Sequence, residues 1–328
     1  MTMGADLHLT PNTLAGTVAP TNPRLDHECM DWPRVHRSIF VIEQRFRYEY
    51  QEPIFDLAHR LVILPPERHG DQRRIADKVE ISGAPVRVSR GRDGFGNEVL
   101  EVRAPMVEKA IDFKASIFVE RRRGTCPQLP AEALGDPRHR EPTVLTAPDA
   151  RLADAAAFLR HQGPEGLPLV RRINAYVYRT MRYEHGATDV ATTAAEAFAL
   201  RRGVCQDLAH VMLALCRLCG LSARYVSGHL LGEGGTHAWV EVILPSPGIA
   251  GRAVAWAFDP THNRAARFGY ITIAAGSDYA AVAPTSGSFR GPFQGVLTAG
   301  KQVSLAEAEY ATADGAAALY LTADGAVA

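Results

Sequence analysis

Residues 201–220 read RRGVCQDLAHVMLALCRLCG, and the rest of the chain is most simply understood from this stretch. Counted from Cys205, the residues Leu208, Ala209, Met212, Leu213 and Cys216 fall at +3, +4, +7, +8 and +11. That spacing is one stripe of a 3.6-residue helix turned toward a core. Gly203 permits a tight entry, and Gly220 suits the position just past the last turn. Cys205 therefore falls in the first helical turn. A thiol at a helix N-terminus sees unpaired backbone N–H groups and the positive end of the helix dipole, both of which favour thiolate. Two readings of Cys205 stand at this point: a nucleophile, or the first core residue of its helix, since free cysteine is among the most buried residue types.

Outward from this helix, the totals set bounds. A chain of 328 residues has room for two domains of ordinary size. A hydrophobic share of 46% with 22% charged residues is that of a soluble globular protein. The 36 basic residues balance the 36 acidic ones, so neither nucleic acid nor an anionic membrane is an expected partner. The longest apolar runs, such as Val211 to Leu215, are far too short to span a bilayer, and the N-terminus is polar. A cytoplasmic protein is expected, with self-association into a homo-oligomer left open. Five cysteines, an odd count in a long chain, read as reduced thiols rather than a disulfide framework.

Residues 1–33 carry Pro11, Pro20, Pro23 and Pro33 without periodicity and read as an N-terminal extension. From Ser38 the pattern alternates, with Phe40, Ile42, Gln44, Phe46, Tyr48 and Tyr50 on one face of a strand. Strand-like runs follow at 59–64, 75–81, 86–89, 98–103 and 110–120, with Asp93-Gly94-Phe95-Gly96-Asn97 as a hairpin tip. Short strands with turn signals and no helical stretch predict a β-sandwich domain over 34–122. Four prolines mark 123–146 as a linker. A catalytic domain is expected over 147–285: helices at 149–160, 168–182 and, opened by a Thr193/Glu196 capping box, at 193–200, then the Cys205 helix, then strands at 223–231, 237–244 and 254–258. Helices first and strands afterwards indicate α+β, with helices packed on an antiparallel sheet. Residues 286–328 read as a tail that wraps back, with one strand candidate at 300–305.

His237 opens one of these strands and Asp259 closes the next, Trp256-Ala257-Phe258-Asp259-Pro260. Neighbouring antiparallel strands can set the two side chains together. If their sheet packs on the Cys205 helix, thiolate, imidazole and carboxylate meet as nucleophile, general base and orienter. Taken singly, His237 reads equally as a structural histidine and Asp259 as a turn carboxylate before proline. The conjunction favours catalysis. Three other residues are less suited to it. His210 lies ~140° round the helix from Cys205 and suits a bracing hydrogen bond. Cys216 and Cys219 form a CxxC at the wrong end of a helix for redox chemistry. No second CxxC, no His pair at ligand spacing and no EF-hand loop is present, so no metal and no cofactor is expected.

The segments GVCQDLAHVMLALCRLCGLSARYVSGHL, THAWVEVILP and WAFDPTHN resemble the core of the bacterial transglutaminase-like family, and 93–97 with its flanking strands is similar to the β-domain that precedes that core. The resemblance implies a papain-like fold with Cys205 as nucleophile, His237 as base and acid, and Asp259 as orienting carboxylate. It also implies an oxyanion site, for which the Cys205 backbone N–H, Tyr183 and Gln206 are the candidates. The glutamine that papain-like proteases carry six residues before the cysteine is absent, since Ala199 stands there. Asp207, Trp239, His229 and His262 are candidates to line the cleft, the two histidines departing from the usual family text. The expected activity is hydrolysis of a protein or peptide amide through a thioester, with transglutamination, in which an amine resolves the same thioester, as the alternative. A catalytically silent binding protein is the alternative of another class.

Overall fold

The computed structural model describes residues 27–311 and 318–322. The chain divides into two compact units, the first interrupted twice in sequence and the second once. Among the described residues, the first draws on 27–124, on 229–236 and on those from 283 onward; the second holds 125–228 and 237–282.

In the first unit, Val35–Glu49 is the central strand of a six-stranded sheet, antiparallel to Ala110–Arg122 on one side and Val296–Ala311 on the other. The expected phase holds: Phe40, Ile42, Gln44, Phe46, Tyr48 and Tyr50 are all buried. A four-stranded sheet of Thr285–Arg290, Ile54–Leu64, Glu98–Val107 and Arg87–Arg92 faces it. Side chains join the two layers of this sandwich. Tyr48 Oη lies 2.6 Å from Thr285 Oγ1, Gln44 Nε2 donates to Ile63 O at 3.0 Å, and the Tyr48 and His59 rings are 4.7 Å apart. The hairpin tip forms as the sequence predicts: the Asp93 carboxylate accepts the N–H groups of Phe95 and Asn97, and Gly96 takes φ +82°. The C-terminal segment differs from expectation. It wraps back, but as strands in both sheets, Thr285–Arg290 in one and the 16-residue Val296–Ala311 in the other. Its alanines, glutamates and glycine have weak strand preference, and pairing with Val35–Glu49 overrides it.

In the second unit the Cys205–Leu218 helix packs against Ala150–His161, Leu167–Thr180 and Ala194–Leu200, and against the strand His237–Pro245. Ser222–Leu230, His237–Pro245 and Arg252–Asp259 form successive antiparallel pairs, giving α+β architecture with helices on an antiparallel sheet. The capping box is present, with Thr193 Oγ1 accepting from Glu196 N and Glu196 accepting from Thr193 N. The Cys205 helix ends in a Schellman pair, Leu221 N to Cys216 O and Gly220 N to Arg217 O, with Gly220 at φ +76°.

The stretch 123–146 is not a linker from residue 125 on. Gln128–Pro130 pairs with the edge strand Arg252–Asp259, and Ala133 is buried with Ile243, Ala253 and Ala255. Arg217 then holds the segment from the helix side, donating to His139 O and, at 2.6 Å, to Thr146 Oγ1. The prolines that suggest an open spacer serve a short edge strand and turns, where no ladder N–H is needed.

Candidate active site

Cys205 is the first residue of its helix, and Val204 precedes it in an extended conformation. The three residues around it are shaped by Asp207, whose buried carboxylate accepts the Val204 N–H at 2.7 Å and the Thr188 hydroxyl at 2.7 Å. A carboxylate in this position satisfies a donor that the helix start leaves over and faces the positive end of the dipole. Burial nevertheless pushes the Asp207 carboxyl upward, against the two hydrogen bonds. Gly203 is required on steric grounds, since a Cβ there would stand 2.5 Å from Asp207 Oδ2 and 2.7 Å from its Cβ. Asp207 is therefore the builder of the cysteine turn rather than a cleft group.

His237 begins the strand on which this helix packs, and Val240 of that strand pairs with Phe258, next to Asp259. His237 and Asp259 are both buried, with Nε2 to Oδ2 at 2.9 Å. An ionised carboxylate only accepts, so the bond fixes the proton on Nε2 and leaves Nδ1 as the basic nitrogen of the neutral ring. Asp259 has further donors. Oδ1 accepts Thr261 N at 2.8 Å and His262 N at 3.3 Å, and Oδ2 accepts Tyr270 Oη at 2.6 Å and His262 Nδ1 at 2.7 Å. Tyr270 accepts in turn from Arg264 Nε at 2.7 Å. Burial opposes ionisation of Asp259, but the bonds from His237, Tyr270 and His262 outweigh it and hold the carboxyl well below the usual range.

The structure thus joins His237, Asp259 and His262 directly and sets Cys205 on the helix packed on the His237 strand. Trp239 is not a cleft surface. It is buried, stacked 6.2 Å from His237 and edge-on to Tyr270 at 5.4 Å, and a Cβ on Gly228 would collide with its ring. His229 is wholly buried with Nδ1 3.2 Å from Gly235 O, and burial takes its imidazole down to about 4. Gln206 donates its amide to Val190 O at 3.2 Å. Tyr183 is half exposed on a two-residue strand whose partner is Arg202–Gly203, so its backbone runs beside the entry to the cysteine helix. His210 braces the fold by accepting the Tyr279 N–H at 3.2 Å. Tyr270 and Arg264 carry no signal in the sequence. They lie 11 and 5 residues beyond Asp259 on separate strands, at spacings that no local pattern connects.

Two family models match the chain: the transglutaminase-like superfamily over residues 155–257, and the bacterial transglutaminase-like N-terminal region over residues 40–120. Between them they take in more than half of it, and the chain belongs to the bacterial transglutaminase-like family. Rv2569c of Mycobacterium tuberculosis H37Rv is 27% identical over 279 residues, spanning 76% of this chain and 86% of its own. ML0607 of Mycobacterium leprae is 29% identical over 249 residues, or 70% and 85% of the two chains. Among solved structures, a protein from Cytophaga hutchinsonii presumed to be a cysteine protease superposes with a TM-score of 0.62 at 20% identity. That superposition covers 83% of this chain and 91% of the other, and it is a likeness of fold.

Proposed function

We propose that the chain is a cysteine-dependent acyl-transfer enzyme acting on an amide or peptide carbonyl, with Cys205, His237 and Asp259 as its triad. The observation that carries this reading is the buried His237–Asp259 pair, with the helix headed by Cys205 packed on the His237 strand. In the first step His237 Nδ1 takes the thiol proton as sulfur attacks the carbonyl carbon. The resulting imidazolium is stabilised by Asp259, which also fixes the ring's orientation. The oxyanion is met by the backbone N–H of Cys205, which at the first helical position has no intrahelical acceptor. Tyr183 is the candidate second donor, since Gln206 is engaged at Val190. Collapse breaks the C–N bond, His237 returns the proton to the departing amine, and a thioester remains. Water then adds to the thioester with His237 again as base, releasing the acid and the thiol. Protein or peptide is the substrate class, and hydrolysis the favoured outcome over capture by an amine. A cytoplasmic site of action belongs to the same proposal, on the odd count of five cysteines in a long chain.

The test is incubation of the chain with a glutamine-containing peptide library, with and without a primary amine, reading peptide cleavage, ammonia release and amine incorporation. Hydrolysis of the peptide bond gives cleavage and hydrolysis of the glutamine side-chain amide gives ammonia, in either case without amine incorporation, and all must vanish in Cys205→Ala. Turnover retained by that variant would place the nucleophile elsewhere. Iodoacetamide should also modify Cys205 ahead of Cys216 and Cys219, whose thiols burial pushes up.

A further inference from the structure

An orienting carboxylate needs one imidazole, yet Asp259 Oδ2 holds two. His237 Nε2 is 2.9 Å away and His262 Nδ1 2.7 Å away, from rings whose centroids are 5.3 Å apart. We propose that His237, Asp259 and His262 bind a zinc-class divalent ion, and that its occupation switches off the acyl-transfer chemistry, the second half of the proposal resting on the triad reading above.

Five features support the site. The three donor atoms all lie within 4.8 Å of one another, so each needs to draw in by less than about an ångström to reach zinc at ~2.1 Å. Two imidazoles and one carboxylate form a borderline donor set, which zinc takes readily and which calcium and magnesium, preferring oxygen, do not. The ligands are braced from behind: Thr261 and His262 N–H groups hold Asp259 Oδ1, and Asn174 Nδ2 donates to Asn263 Oδ1 at 3.1 Å in the same turn. His237 and Asp259 are buried, whereas the His262 side chain is 32% exposed and offers both the entry path and the open side for a solvent ligand. Arg264, an opposing charge nearby, is directed to the Tyr270 hydroxyl, which stands between it and the carboxylate.

The switch follows from the imidazole. An ion on His237 Nε2 takes the lone pair there, and the ring's one proton moves to Nδ1. His262, bound through Nδ1, carries its proton on Nε2. No proton is gained or lost by either neutral ring, but His237 Nδ1 becomes a donor and can no longer take the proton of Cys205.

The experiment uses the full chain carrying Cys205→Ala, which removes thiolate as a competing ligand, titrated with Co²⁺ as a spectroscopic stand-in. The expected result is visible d–d absorption saturating at one equivalent, displaced by Zn²⁺, and weakened at least tenfold when His262→Ala is added. Tyr270→Phe, which keeps all three donors, should retain the bands. Circular dichroism confirms that each variant is folded, and His262→Gln replaces any His262→Ala chain that is not. Absent bands, or bands indifferent to both His262 variants, overturn the site. In the chain with Cys205 intact, Zn²⁺ at the measured affinity should slow iodoacetamide alkylation of Cys205, and His262→Ala should abolish the slowing. Bands without slowing overturn the switch. Failure of Cys205 to alkylate selectively in metal-free buffer counts instead against the triad, and the absorption test stands apart from it.

Discussion

His59 and His237 are both buried imidazoles, one in each unit, and they differ in what meets them. His59 sits in the sandwich with its ring 4.7 Å from Tyr48 and 5.2 Å from Phe113, and among the described residues neither of its nitrogens has a hydrogen-bond partner. His237 has the ionised Asp259 at 2.9 Å, itself held by four further donors. Burial drives the His59 imidazole down to about 4, so it packs as a neutral aromatic ring. The carboxylate beside His237 gives an imidazolium somewhere to form. Burial alone leaves a histidine as a neutral packed ring; burial beside an oriented carboxylate is what the base proposed at His237 requires.

The largest effect should come from removing that carboxylate. Asp259→Ala should lower turnover by roughly 10³-fold or more, because the ring loses its tautomer and its counter-charge. It should also destabilise the fold by roughly 3 kcal/mol, since Tyr270, His237 and two backbone N–H groups lose their acceptor. Peptide hydrolysis and thermal unfolding measure the two losses. If turnover survives, the contrast with His59 has no catalytic meaning.

Acid should act on the sandwich through His59. Unfolded, its imidazole titrates near 6.5; folded, near 4, so below 6.5 only the unfolded chain takes the proton. Stability is therefore full above pH 6.5 and falls as the pH drops toward 4, by at most roughly 3 kcal/mol for this group. His139, His210 and His229 share the direction, so the measurement is a difference. His59→Leu should gain on the wild type between pH 8 and pH 5 in denaturant unfolding, and a gap independent of pH would refute the unpartnered reading.

Tyr270→Phe sharpens the comparison from the other side. It keeps His237 and Asp259 but removes one of the donors that fix the carboxylate, so kcat should fall by about tenfold with KM little changed. A change confined to KM would make Tyr270 a substrate contact. The smallest effect belongs to the intermediate case, His210, which accepts one backbone N–H. His210→Leu should cost about 1–2 kcal/mol at pH 7 by orphaning the Tyr279 N–H, read from thermal unfolding without loss of turnover per folded molecule.

Much of this was legible in the sequence, because it is written in local periods. Alternation from Phe40 to Tyr50, the stripe from Leu208 to Cys216, the Thr193/Glu196 box and the turn at 93–97 each depend on neighbours a few residues apart. Cys205, His237 and Asp259 stand out for the same reason: each lies at an element boundary that the pattern marks. The segment 125–146 and the strand Val296–Ala311 were obscure because their partners, Arg252–Asp259 and Val35–Glu49, are more than a hundred residues away and their own residues carry little strand preference. Trp239 and His229 offered themselves as cleft groups because composition shows a side chain's type and not its burial.

The sequence by itself determined the α+β class and the sandwich before it, and it singled out the three residues proposed as a triad, since helix caps, strand phase and residue type are fixed by short-range sterics and hydrogen bonding. Only the tertiary structure decided what surrounds the carboxylate. It brought Tyr270, Arg264 and His262 to Asp259 from separate strands and a turn, buried His237 beside them, and left His59 with no partner among the described residues, because hydrogen-bond partners across a sheet are chosen by register and packing.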